Sequence, residues 1–226
     1  MNWESEGYLL SKNKFRENAS IINVFTNLHG KVSGIVYGGN SRKIKNFLQI
    51  GNKIHLVNTS KNPNKIGYFK TEIIEPISAK YFNDRKRTTA IISITTLLNT
   101  LLPESQKNKA IYQSLSNLFS KLDLDQWIIL YIFWELNLIK ELGYDTELEK
   151  YQKHQNVEGK FISVKIDNTS YDIPYFLIKR EIPLEISNKL IKRSLEFTKK
   201  ILIEKFYNQN NLKFPISRNL LEKYFT

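Results

Sequence analysis

The sequence predicts an α+β chain of two domains, a small five-stranded β-barrel over residues 1–82 and an α-helical domain with a small irregular or β insertion over residues 83–226. Short β-branched and aromatic runs broken by turn residues fill the first part. After Pro76 the apolar residues change to three- and four-residue spacing. Charge changes with them: the first 82 residues hold 12 basic and 5 acidic side chains, and no Asp or Glu falls between Glu17 and Glu72.

The expected strands are Tyr8–Leu10, Ile21–Phe25, Lys31–Tyr37, Lys53–Val57 and Tyr68–Ile73, parted by Leu28-His29-Gly30, Gly38-Gly39-Asn40-Ser41 and Asn62-Pro63-Asn64. Five strands in this length fit the oligonucleotide-binding (OB) barrel. An SH3-like barrel fits the same count, and the pattern alone leaves both open. Arg87–Leu102 reads as the first helix, and Pro103-Glu104 opens a second with Ile111, Leu115, Leu118 and Leu122 on its buried face. Asp123 caps a third over Leu124–Leu142, ended by Gly143. Its apolar residues lie all round, as in a central core helix. Lys160–Asp172 reads as a loop or small hairpin. A long helix over Glu185–Tyr207 and a short one over Ser217–Phe225 close the chain.

With 34 Lys and Arg against 22 Asp and Glu, the 226-residue chain carries a net charge of +12, which points to a polyanionic partner and first to nucleic acid. There is no cysteine, so disulfides, thiolate metal sites and cysteine nucleophiles are excluded. His29, His55 and His154 are too scattered for a metal site. No phosphate-cradling loop, HExxH or GxSxG occurs, and Asp123 and Asp125 read as helix-opening acids rather than a magnesium pair. No catalytic residue, metal or cofactor is therefore expected. The N-terminus, with Glu4 and Glu6 ahead of any apolar run, does not read as a secretory signal. The apolar run Trp127–Ile139 is short for a bilayer and holds Glu135. A cytoplasmic protein without membrane contact is the expectation.

The candidate DNA-binding residues are Lys14, Arg16, Lys31, Arg42, Lys43, Lys45, Arg85, Lys86 and Arg87. Arg42, Lys43 and Lys45 follow a glycine-rich turn and read as a mobile loop laid along phosphates. Arg85-Lys86-Arg87 open a helix, where cations are slightly unfavourable, so a phosphate contact is expected of them. Tyr8, Phe15, Tyr37 and Tyr68 are candidates for base stacking, with one or two acting as platforms. The long helix pairs an apolar stripe with Lys189, Lys192, Arg193, Lys199, Lys200 and Lys205, a cationic face for an acidic peptide or further DNA.

Taken in order, Glu6-Gly7-Tyr8-Leu9-Leu10, Arg16-Glu17, Val24-Phe25-Thr26, Gly30, Tyr37-Gly38-Gly39 with Arg42-Lys43, Trp134–Tyr144 and Pro215-Ile216-Ser217-Arg218 resemble the RecO family of bacterial DNA repair and recombination proteins. The resemblance implies an OB-fold followed by a helical domain, and a non-enzymatic protein that binds single- and double-stranded DNA. It also implies annealing of strands coated by single-stranded-DNA-binding protein (SSB), capture of the SSB C-terminal tail, and action with RecR in loading RecA, at the bacterial nucleoid during repair. Many members carry a four-cysteine zinc site, where this chain has Tyr151-Gln152-Lys153-His154. The rival reading is a non-enzymatic adaptor whose basic surface meets RNA or an acidic protein.

Overall fold

The computed structural model describes residues 2–38, 42–60, 66–153, 161–166 and 169–225, with the side chains of residues 42, 43, 45, 152 and 153 outside the description. Two compact units result, Met1–Tyr112 and Gln113–Thr226.

The first unit is a closed barrel of β1 (Asn2–Arg16), β2 (Ala19–Thr26), β3 (Gly30–Tyr37), β4 (Lys53–Thr59) and β5 (Gly67–Glu75) in the order β1-β2-β3-β5-β4. β4 returns to pair with β1, and β3 meets β5 in parallel at Gly34–Gly67 and Ile35–Tyr68. This is the OB-fold arrangement, which resolves the choice that the strand count left open. Period-2 alternation places Leu9, Ile22, Val24, Val32, Val36, Ile54, Leu56 and Phe69 inside. Gly34 faces the same core, where a Cβ would run into the Phe69 ring. A short helix between β3 and β4, α1 (Arg42–Phe47), packs Ile44 and Phe47 against that core. The expected Tyr8–Leu10 strand is far longer, because β1 serves two neighbours, β4 with its first half and β2 with its second.

After α2 (Ile77–Lys80), α3 (Arg85–Leu101) lies against β1. The second helix does not open at Pro103. Glu104 instead makes a parallel bridge with Lys31, Ser105 donates its N–H to the Lys31 carbonyl at 2.8 Å, and α4 (Lys109–Phe119) begins only where Asn108 accepts from the Ile111 N–H at 2.9 Å. Gly30, at φ 69°, turns β2 into β3 directly against this segment.

In the second unit, α5 (Trp127–Glu141) begins after Gln126, and Asp123 lies in the preceding turn rather than at the cap. Gly143, at φ 100°, ends it in the left-handed conformation. The insertion is a hairpin of β6 (Phe161–Ile166) and β7 (Thr169–Pro174), followed by α6 (Phe176–Lys179). α7 (Asn188–Leu202) is capped by Ser187 and runs on into a π turn over Ile203–Tyr207; α8 (Ile216–Lys223) follows. Glu135 of α5 and Arg218 of α8 are both fully buried. The carboxylate accepts from Arg218 Nε at 2.5 Å and Nη2 at 3.0 Å, from Tyr131 at 2.7 Å and from Thr198 at 2.6 Å. Burial alone would lower the Arg218 pKa; the Glu135 charge, helped by Tyr131 and Glu222, more than reverses this and raises it.

Two outcomes follow for urea unfolding at neutral pH. Glu135→Leu strands a buried guanidinium and is expected to cost about 3–5 kcal/mol, most of which the double change Glu135→Leu, Arg218→Met recovers. Gly30→Ala drives a Cβ into the Gln106 backbone at a left-handed φ and is expected to cost about 1–3 kcal/mol.

Candidate nucleic-acid interface

Beyond Tyr8 β1 leaves β4 and continues as a hairpin with β2, whose other edge stays paired with β3, and a register shift near the hairpin's end decides where its cations point. Lys12 pairs with Ile22 and Lys14 with Ser20, on the face that leads inward to the core. Between Lys14 and Arg16 the register slips, so Arg16 pairs with Ala19, which in turn pairs with Tyr37 on the outer face. There the Tyr37 ring stacks on Tyr68 with centroids 5.2 Å apart and planes 15° from parallel. Both rings are about half exposed, at 58% and 46%. Phe15, exposed at 45%, has the Arg16 guanidinium 5.2 Å from its ring centroid. A side-chain hydrogen bond between the two phenols, with some desolvation, raises the Tyr37 pKa against the opposing pull of Arg16. The barrel rim therefore offers neutral aromatic faces beside a permanent cation, the pairing that holds bases and phosphates of a single strand.

The structure does not bring Lys14, Lys31 or Arg87 to this rim. Lys14 lies on the inner face and, with Lys12, lines a groove of about 930 Å³. Lys31, expected on DNA, is buried: its ammonium donates to the Asn99 carbonyl at 2.8 Å and lies 3.7 Å from Glu104. Ser33 and Asn23, which bonds to Asn99 at 2.7 Å, extend this network, so the chain itself covers that end of the β2–β3 outer face. Arg42, Lys43 and Lys45 belong to helix α1 rather than a loop; their side chains lie outside the described residues, as does the expected Gly39–Ser41 turn. Arg85 and Lys86 are exposed on the first turn of α3. Arg87 is engaged by the helix cap, donating its N–H and its Nη1 to Asp84 at 3.0 and 2.6 Å. Burial would raise the Asp84 pKa, but the hydrogen bonds and charge of Arg87 outweigh it and lower it, so the cap stays anionic and offsets the cations there. Tyr8 is buried against Tyr112 and is no platform.

The remaining motifs have structural uses. His29 stacks on Trp3 at 4.1 Å, and burial with the Lys107 charge lowers its pKa. Among the described residues no group of three or more His, Asp or Glu is placed to hold a metal, and no helix is long and apolar enough to cross a membrane. The chain has no thiolates for a zinc site; instead the Tyr151 hydroxyl donates to the Lys165 carbonyl at 2.6 Å and accepts its N–H at 3.1 Å. On the cationic face of α7 and the π turn, Lys189, Lys200 and Lys205 lie over Phe161, Tyr171 and Tyr144. A second pocket of about 180 Å³ opens between α4 and α5, lined by Leu118, Leu130, Phe133 and Trp134 with Lys121 and Asn117 beside them. The buried Trp134 Nε1 has no acceptor among the described residues.

Comparison with known proteins matches both halves of the chain. Residues 1–77 fit the family model "Recombination protein O N terminal" and residues 83–156 the model "Recombination protein O C terminal". The DNA repair protein RecO of Roseobacter denitrificans is 35% identical over 66% of this chain; the match spans only 62% of that relative's length. The DNA repair protein RecO of Wolbachia sp. subsp. Drosophila simulans is 28% identical over 98% of this chain and 99% of the relative. Among solved structures, an Entamoeba histolytica asparaginyl-tRNA synthetase matches over 95% of this chain and 59% of its own at 10% identity, with a TM-score of 0.29. With consecutive models of one protein matching residues 1–77 and 83–156 and a relative aligned over 98% of the chain, the chain belongs to the RecO family.

Proposed function

We propose that this chain is a non-catalytic DNA repair and recombination mediator, acting in the cytoplasm at the nucleoid. It binds single- and double-stranded DNA without strong sequence preference, anneals complementary strands, and works with RecR and SSB in loading RecA. The observation that carries the reading is the Tyr37–Tyr68 stack beside Arg16 at the rim of an OB barrel. Base stacking is indifferent to sequence because every base has a π face, and Arg16 adds a phosphate or cation–π contact. Arg85, Lys86 and the α1 cations Arg42, Lys43 and Lys45 extend the electrostatic footprint. Strand annealing follows from screening of phosphate repulsion while base edges stay free to pair.

The SSB tail, acidic and ending in Phe, requires an apolar pocket with a cation and a hydrogen-bond donor near it. The pocket between α4 and α5 has that composition: Leu118, Phe133 and Trp134 for the ring, Lys121 for the acid, and the Asn117 amide for a carboxyl or carbonyl oxygen. The helical unit is thus assigned to protein partners and the barrel to DNA.

Fluorescence anisotropy with a labelled single strand across a salt series tests the first assignment. Tyr37→Ala with Tyr68→Ala is expected to cost about 1–3 kcal/mol per stacked base at every salt concentration. Arg16→Ala is expected to flatten the logarithmic salt slope by about 0.7. Absence of binding by the unaltered chain even at low salt would transfer the basic surface to RNA or an acidic protein. For the second assignment, Lys121→Glu is expected to weaken binding of an acidic Phe-ended peptide while leaving anisotropy with DNA unchanged; unchanged peptide affinity would remove the pocket from the reading.

A further inference from the structure

We infer that the β1–β2 hairpin, with β3 paired along its edge, is a partition between two single-strand tracks, the rim on the outer face of this sheet and the 930 Å³ groove on its inner face, and that the groove takes the second strand during annealing. The inference rests on the DNA-binding reading above and adds to it where the partner strand lies.

The register slip supplies the geometry. Alternate residues of a strand share a face, so Lys12, Lys14 and Arg16 would form one continuous cationic row. The slip after Lys14 breaks that row and turns Arg16 outward to Tyr37, leaving Lys12 and Lys14 on the groove wall with Ser20. Opposite them stand Asn46, Gln49, Leu48 and Ile50 between α1 and β4, and Thr88, Ile91 and Ile92 of α3. Cations on one wall, apolar carbons and amides on the other, suit a strand with its phosphates on the lysines and its bases against Ile50 and Ile92.

The groove is built rather than loosely open. Asn52, itself buried, donates to the Phe47 carbonyl at 2.8 Å and accepts the Ser78 N–H at 2.9 Å, tying the α1–β4 connection to α2. Ser78 Oγ donates to the Ile50 carbonyl, and Thr88 Oγ1 to the Tyr81 carbonyl at 2.6 Å. Ile92 remains 40% exposed, an apolar side chain on a surface of preset shape. Glu17 lines the same groove and opposes a strand's charge, so its removal should favour occupancy. Two strands on opposite faces of one β-sheet layer are held close with their mutual repulsion screened from both sides, which is the condition for pairing at the end of the hairpin.

Stopped-flow annealing of two complementary labelled strands, run beside anisotropy with one strand, separates the tracks. Lys12→Gln with Lys14→Gln should slow annealing on the order of tenfold at moderate salt, while first-strand affinity stays within about twofold. Glu17→Gln should speed annealing. Because the chain has no cysteine, Ile92→Cys gives a single labelling site in the groove. Its fluorophore should respond to a second equivalent of strand after the first has saturated the rim. An unchanged annealing rate in the lysine variant, or a silent label at two equivalents, overturns the partition while first-strand binding still stands. Loss of all DNA binding in the unaltered chain would overturn the functional reading instead.

Discussion

Barrel closure depends on one strand doing two jobs. β1 pairs with β4 from Asn2 to Tyr8 and with β2 from Gly7 to Arg16, so both edges of the sheet are joined through its fifteen residues. The change of partner needs a bend, and the register shift between Leu9 and Ser11 supplies it. Leu9 at that point exchanges backbone bonds with the α1–β4 connection, giving its N–H to Asn52 and accepting from Gly51. The same bend takes the second half of β1 away from β4 and into the hairpin with β2 that carries Lys12, Lys14, Phe15 and Arg16. Closure and presentation of the cations are therefore one feature.

The second determinant is how the chain covers its own surface. Lys31 and Glu104 bind β3 to the segment before α4, and Asn23 and Asn99 bind β2 to α3. This occupies one end of the outer β2–β3 face with polar contacts and leaves Ile35, Tyr37 and Tyr68 at the other. A family-typical barrel thus has its accessible stretch narrowed to the aromatic rim.

Much of this was legible in the sequence, for physical reasons that can be named. Period-2 runs such as Ile22/Val24 and Ile54/Leu56 marked barrel strands, because an inward face must be apolar. The extent of β1 was hidden, because Lys12 and Lys14 occupy inward positions beyond the core and break the alternation. The lysines at Lys12 and Lys14, with Arg16, have the spacing of one strand face, a signal that points to a shared surface; only the bulge, which has no sequence mark, divides them. Lys31 read as a free cation because its partners lie about 70 positions away, and no local pattern reports an internal ammonium. Likewise Pro103 looked like a helix start, but tertiary pairing with β3 overrode it. Glu135 did leave a trace, a lone carboxylate on a helix apolar all round; its partner Arg218 sits in an ordinary amphipathic segment and left none.

The buried Glu135–Arg218 pair also bears on how the molecule comes apart. Peeling α8 away would leave the Glu135 carboxylate, the Thr198 hydroxyl and the Leu195 carbonyl without the guanidinium that joins them, all inside an apolar helix packing. α8 is therefore tied to α5 at a fully buried point, and its amide protons are expected to share the opening free energy of α5. The pair acts as a clasp between the two helices.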